Sequence, residues 1–354
     1  MRVWELDSGF GIDNVREATR PEPRPGAGEA VVEVGAASLN YRDHLLVAGI
    51  YQPRQRLPVI LLSDAAGIVV EVGPGVSRVK AGDRVVASFF PGWEGGALSS
   101  EALMSALAYP GDGVLAERRT FAAAGLFPIP PHLSCVEATA LPCAGLTAWS
   151  AIVGLGRVKP GDLVLVQGTG GVALFALQFA KAAGATVIVT SSSDEKLERA
   201  RALGADYGIN YRSTPEWGKA AQAWAGGRAL DHIVELGGGD TLERSLHAIK
   251  PGGTLSLIGV LGGPMPTLNL PLVVMRQVRL QGVTVGSNQD FAAMLRAIAS
   301  QRIRPVTDNV FAFADTRAAF QRMASGQAFG KIVIDLAAAS AGIMRHDLTR
   351  PNVR

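Results

Sequence analysis

The chain has 354 residues, 48% of them hydrophobic and only 18% charged, with 42 glycines, two cysteines and a net charge of +3. That length supports one large domain or two ordinary ones, and its Lys and Arg are scattered among acids, which excludes the basic stripe of a nucleic-acid binder. The apolar runs, such as Val172 to Leu177, are too short to span a bilayer, the start Met1-Arg-Val-Trp-Glu lacks a signal core, and Cys135 and Cys143 make no disulfide framework, so a reducing cytoplasm is expected.

In chain order, the first third reads as short β-branched runs, Ala30 to Val34, Ile68 to Val72 and Arg84 to Ala87. Gly- and Pro-rich turns separate them at Pro21 to Gly28, Gly73-Pro74-Gly75 and Ala81-Gly82-Asp83, a spacing that predicts a small irregular barrel. Residues 88–120 form a long connection in which Phe89, Phe90 and Trp93 either wall a pocket or bury the loop against the barrel. An Ala-rich stretch, 134–154, predicts helix. Strands are then expected at Leu163–Gln167, Thr186–Thr190, Tyr207–Asn210, His232–Leu236, Thr254–Ile258 and Leu280–Val285, with helices between, as at Asp194 to Leu203 and Asp240 to Ile249. Strand–helix alternation at this spacing means a parallel sheet. A helix (Asp290 to Ser300), a strand (Val306 to Phe313), a helix (Asp315 to Ala324) and a last strand (Gly330 to Asp335) return to the first domain, and 337–354 reads as a tail.

Leu163–Gln167 runs into Gly168-Thr169-Gly170-Gly171-Val172-Ala173 and then a helix through Lys181. This is a G-x-G-x-x-A turn between strand and helix, where small residues let backbone approach a pyrophosphate at a helix N-terminus. The next strand ends in Ser191-Ser192-Ser193 with no carboxylate before Asp194. An acid there would serve NAD and repel a 2′-phosphate. Serines, with Lys196 and Arg212 nearby in sequence, favour NADPH instead, and they also suit capping of the helix that follows.

At this point the chain resembles the medium-chain dehydrogenase/reductase superfamily, in its zinc-free quinone oxidoreductase-like branch. The stretches that carry the likeness are Ser38-Leu-Asn40-Tyr-Arg-Asp43, Gly67 to Gly75, Ala140 to Ala148, Gly168 to Ala180, Leu203-Gly-Ala-Asp206, Ile209 to Arg212 and Lys250-Pro-Gly-Gly253. The resemblance implies an α/β chain: a Rossmann doubly wound parallel sheet (131–286) plus a GroES-like irregular β-barrel catalytic domain (1–130 with 287–354). It also implies a cofactor in the cleft between them and a homodimer joined through the last Rossmann strand. The cofactor contacts it carries over are Thr147, Lys196, Tyr211, Gly259, Val260 and Lys331, the last also readable as a surface charge.

Zinc members of that superfamily hold a catalytic metal with Cys, His and a further Cys; here those positions read Asn40, Ser63-Asp64 and Cys143. One thiol does not meet zinc's need for three protein ligands, so no metal is expected, and Cys143 reads as a core residue. His132, near Cys135, has no companion ligand pair. Without a Lewis acid, quinones and activated enones are the electrophiles that accept hydride most readily, aided by hydrogen-bond donors to the oxyanion. Asn40, Tyr51 and Tyr41 are the candidate donors, with Arg42 behind them, while Asp43 and His44 read as structural. The alternatives are a metal-free ketone or aldehyde reductase and an NADPH-binding protein with little turnover.

Overall fold

The computed structural model describes residues 1–265 and 267–337, and the chain forms two compact units. One comprises Met1–Cys143 with the described residues from Ser287 to Ala337; the other is Ala144–Gly286. The first division therefore falls after Cys143 rather than at 130. The reason is local: the helix Cys135–Ala138 packs on the strands Glu29–Ser38, Asp64–Val72 and Lys331–Asp335 of the first unit. The expected tail lies, beyond Ala337, outside the described residues.

In the second unit, six strands lie in the order Tyr207–Asn210, Thr186–Ser191, Leu163–Gln167, Leu230–Glu235, Ile249–Leu257, Arg279–Gly282. Every adjacent pair is parallel. The central strand, Leu-Val-Leu-Val-Gln, is buried throughout, which explains why it reads as a continuous apolar run and not as an alternating one. Leu165, Ile188, Ile233 and Leu255 gather with Trp217 and Leu246 into one core. The chain winds outward from Leu163–Gln167 in one direction and then in the other, so the crevice where ligands bind such sheets opens beyond the carboxyl ends of Leu163–Gln167 and Leu230–Glu235. Two expected strands shift: Ile249–Leu257 begins earlier than Thr254, and Arg279–Gly282 ends before Val285. The Ala-rich stretch is helical in pieces, with wide π turns at Leu141–Gly145, where Pro142 removes a donor, and at Ser150–Gly154.

The first unit is organised by one long strand, Glu29–Ser38. Asp64–Val72 pairs along one edge; along the other, Arg118–Ala122 takes the first half and Lys331–Asp335 the second. Arg84–Ala87 and Leu126–Pro128 extend the sheet, and Thr307–Ala312 runs parallel to Lys331–Asp335. A second sheet joins Val15–Thr19, Arg2–Leu6 and Val59–Ile60. Val32, Val34, Leu39, Leu61, Val85, Phe313 and Phe320 fill the core. At Gly67 a Cβ would lie 2.0 Å from the carbonyl oxygen of Glu33, so only glycine lets these two strands approach as they do. The 88–120 connection contains the helix Ser100–Met104, capped by Ser99, and runs into the strand Arg118–Ala122. Phe89 and Phe90 are each 3% exposed and pack edge to face, so they bury the loop against the barrel; Trp93, half-buried, packs on Phe90.

His232 lies inside the Rossmann core, 2% exposed, with Nε2 3.1 Å from the Ser256 hydroxyl. Burial lowers its pKa from 6.5 to about 4, against a small opposing pull from Asp162. Between those values the unfolded chain binds a proton that the folded chain refuses. The stability present above pH 6.5 is therefore lost as pH falls toward 4, by up to roughly 3 kcal/mol from this residue. Replacing His232 with Gln should flatten that part of the pH dependence of urea unfolding between pH 7 and 4.5; an unchanged slope would mean that His232 is not its source.

Candidate functional site

Each unit carries a polar constellation at the position its fold makes available. In the second unit, Gly168 has φ +78° and its N–H donates to the Thr190 carbonyl at 2.8 Å, which turns the chain sharply out of the sheet. Gly170 then opens the helix Gly171–Ala182 with no side chain capping it. A Cβ at Gly168 or Gly170 would meet nothing within 4 Å, so the turn leaves open space over unsatisfied helix N–H groups, a fit for a pyrophosphate. Thr169 and Thr147 are buried, while Gly171 and Val172 are half-exposed.

Beside this turn lies a network that the sequence reading missed. Glu235, 1% exposed, ends the neighbouring strand. Its Oε1 accepts N–H bonds from Gly237 at 3.1 Å and Gly238 at 3.0 Å, and the Thr241 hydroxyl at 2.6 Å. Its Oε2 accepts the Gln167 amide at 2.7 Å and the Ser245 hydroxyl. Gln167 Oε1 in turn accepts from the N–H groups of Leu236 and Gly237 at 3.0 and 2.9 Å. One carboxylate and one carboxamide thus fix both lips of the crevice. Gly259 follows the next strand, where a Cβ would stand 2.2 Å from the Leu236 carbonyl oxygen, and Val260 is exposed.

At the end of Thr186–Ser191, Ser191 is buried and Ser192 half-buried. Ser193 caps the helix Asp194–Ala202 by accepting the Lys196 N–H at 3.3 Å. Asp194 accepts the Asn210 side-chain amide at 2.9 Å. Tyr211 is exposed, its N–H bonded to the Ser191 carbonyl at 3.0 Å; Arg212 is exposed beside it, and Lys196 is half-buried.

In the first unit, Asn40 opens the helix Tyr41–Val47. Its backbone N–H donates to Asp43 Oδ2 at 2.7 Å, and burial raises the Asp43 carboxyl to about 6 against the pull of Arg42. The Asn40 side chain is 8% exposed; Nδ2 donates to Asp64 Oδ2 at 2.9 Å and reaches Ser63 Oγ at 3.5 Å. Lys331 is not a surface charge: it is 4% exposed, with Nζ bonded to Asn40 Oδ1 at 2.6 Å, the Leu39 carbonyl at 2.7 Å and Asp64 Oδ2 at 3.2 Å. Cys143 is a free thiol that burial, with the Asp64 charge, pushes up to about 12. Tyr41 and Tyr51 are 45% and 44% exposed, and Arg42 stacks over the rings of Tyr51 and Phe89. His132 bonds the Ile303 carbonyl at 3.0 Å and Cys135 sits in the helix Cys135–Ala138, so neither joins this group. Among the described residues no cluster of three or more His, Cys, Asp or Glu is placed to hold a metal.

Two family models match, one described as alcohol dehydrogenase GroES-like domain over residues 26–131 and one as zinc-binding dehydrogenase over 171–300. A zinc-type alcohol dehydrogenase-like protein of Schizosaccharomyces pombe is 40% identical over 343 residues, covering 95% of this chain and 99% of the relative. The chain belongs to the medium-chain dehydrogenase/reductase superfamily. Among solved structures, an alcohol dehydrogenase candidate from Sinorhizobium meliloti superposes with a TM-score of 0.88 at 39% identity, covering 95% and 99% of the two chains. An NAD-dependent alcohol dehydrogenase superposes at 0.87 and 33% identity, covering 95% and 100%. A chloroplastic quinone-oxidoreductase of Triphysaria versicolor is 28% identical over 95% of this chain and 98% of its own. The chain is accordingly an oxidoreductase of this superfamily with a Rossmann unit and a GroES-like unit.

For a member of this superfamily, an acid and an amide closing adjacent apolar strands were the available signal for Glu235 and Gln167. Glu235→Gln places an N–H against donors it now accepts, and should cost about 2–4 kcal/mol of stability by thermal unfolding, since bonds to buried charges are the strong ones. The exposed control Glu243→Gln should cost under about 0.5 kcal/mol. Equal effects from the two changes would remove Glu235 from this role.

Proposed function

We propose that the chain is a metal-independent, NADPH-using reductase that delivers hydride to quinones or α,β-unsaturated carbonyls. The observation that carries this reading is Lys331 lying between Asn40 and Asp64. The residues do not fit a catalytic zinc. Asn40 Oδ1 and Asp64 Oδ2 already face an ammonium that repels a second cation, and Cys143 is held as a neutral thiol. No step therefore runs through a metal.

The bound nicotinamide supplies hydride; the chain's own residues do the rest. Gly168 would make the turn that gives a pyrophosphate room, Thr169, Gly170, Gly171 and Val172 would present backbone N–H groups to it, and Thr147, Gly259 and Val260 would serve the nicotinamide half. Ser191, Ser192, Lys196, Tyr211 and Arg212 take the adenosine side, where the strand end offers hydroxyls and no carboxylate to repel a 2′-phosphate. Asn40, with the hydroxyls of Tyr51 and Tyr41, donates to the oxygen on which charge develops, each donor supporting the transition state by roughly 3 kcal/mol. Charge delocalised over a quinone or enone needs only such donors, whereas a simple alkoxide needs more.

The same reading includes a homodimer. Arg279–Gly282 is an edge strand, and Leu270, Val274 and Met275 just before it are 60%, 69% and 82% exposed, a surface that a second copy would cover. No helix among the described residues is long and apolar enough to cross a membrane, and the two free thiols suit a reducing cytoplasm.

NADPH oxidation by a panel of quinones and enones, run in a strong chelator, tests the chemistry. Turnover that persists in chelator is expected. Activity that disappears and returns only with added zinc would sink the metal-free reading, and oxidation by ketones or aldehydes alone would replace the electrophile class. Cofactor choice is tested separately: Lys196→Ala should weaken NADPH roughly tenfold, about 1.4 kcal/mol, and leave NADH nearly unchanged. Equal losses for both would contradict a phosphate contact.

A further inference from the structure

Lys331 and Asp64 form an ion pair, 4% and 0% exposed, between residues far apart in the chain. Such a pair rarely stabilises more than apolar side chains of similar volume would. What it does here is geometric. Three acceptors, the Leu39 carbonyl, Asn40 Oδ1 and Asp64 Oδ2, engage the three N–H bonds of Lys331. Asp64 Oδ2 also receives Asn40 Nδ2 at 2.9 Å, and Ser38 Oγ, whose proton goes to the Thr139 carbonyl at 2.8 Å, lies 3.3 Å away. The carboxamide of Asn40 therefore has an ammonium at one end and a carboxylate at the other. Rotated by 180° it would place its NH2 against the ammonium and its oxygen against the carboxylate, so one orientation is enforced. In that orientation one Nδ2 proton bonds Asp64, and the second reaches Ser63 Oγ only at 3.5 Å, the outer limit of a hydrogen bond.

We propose that Lys331 and Asp64 are a positioning pair that locks the Asn40 carboxamide so that its second N–H stays directed at the carbonyl oxygen of the electrophile. This rests on the reading above in which Asn40 meets the substrate. Neither member of the pair touches the reacting atoms. The pair also ties the start of the last strand to the helix that opens at Asn40, since Leu39 N–H bonds the Ile332 carbonyl at 3.0 Å beside it.

The test uses the full-length protein and four variants. Lys331→Met should lower kcat roughly tenfold or more, with KM for the electrophile little changed and the NADPH dissociation constant within twofold of wild type. Lys331→Arg, which keeps the charge and the donors, should recover most of kcat. The double variant Lys331→Met with Asp64→Asn removes the unpaired carboxylate and should recover the thermal midpoint without recovering kcat. Recovery of both in the double variant, or an unchanged kcat in Lys331→Met, would overturn the proposal in favour of a purely structural pair. A readout independent of turnover is the side-chain 15N–1H pair of Asn40, assigned by its loss in Asn40→Asp. It should be sharp and single in wild type and broadened or doubled in the Lys331→Met and double variants; an unaltered signal there would also overturn the proposal. Should none of the quinones or enones accept hydride from NADPH with the wild-type protein, the reading of Asn40 as a substrate donor fails, while this resonance still decides whether Lys331 orients the amide.

Discussion

A charge buried in a protein has to be answered by a partner, and this chain rests on two such answers. In the first unit Asp64, fully buried, faces Lys331 and Asn40; in the second, Glu235 faces Gln167, two backbone N–H groups and two hydroxyls. An unpaired carboxylate in either place would cost several kcal/mol, so each requires a particular set of strands to come together in register. Lys331 begins the last strand of its sheet, and Asp64 begins the strand on the far side of Glu29–Ser38. The pair therefore spans that strand and closes the sheet where the helix of Asn40 starts. Glu235 does the same for the Rossmann unit, tying the central strand to its neighbour at the place where the winding changes direction.

These two clusters solve different problems. The glycine turn offers backbone only: Gly168 supplies a positive φ, Gly170 supplies room, and affinity for a phosphate comes from amides that no mutation of a side chain removes. Its position depends on Gln167 and Glu235, which hold the adjacent lip without pointing a charge into it. In the first unit the side chains carry the constraint. Asn40 is gripped at its backbone by Asp43 and at both ends of its carboxamide, so the freedom that a surface asparagine has is absent.

The legible parts of this molecule were those that depend on local pattern. Leu163–Gln167 with its glycine turn and helix read correctly because burial on both faces, turn chemistry and helix start all lie within twenty residues or so. The Asp43 capping bond was foreseeable for the same reason, three residues from Asn40. What stayed hidden depended on distance along the chain. Gln167 and Glu235 are partners 68 positions apart, and Lys331 and Asn40 are 291 apart; in the sequence each is simply a polar residue at a strand end. The burial of Lys331 was not legible, because a lysine beside a glycine gives no sign of it. The unit boundary was misplaced for a related reason: composition changes near Ser134, but Cys135–Ala138 packs on the barrel strands before the chain leaves that unit.

The matches to zinc-named relatives sharpen the electrostatic argument. A metal and an ammonium both present positive charge to Asp64, yet they differ in what remains available. A metal with an open position polarises a substrate oxygen directly. An ammonium whose three protons are already engaged polarises nothing further; it can only hold its neighbours in place. On the function proposed above, stabilisation of an oxyanion falls to donors such as Asn40 and the exposed tyrosines, which are weaker than a Lewis acid. The buried lysine thus links the packing of the barrel to the setting of Asn40: it answers the Asp64 charge with all three of its protons engaged and holds the carboxamide at its oxygen end.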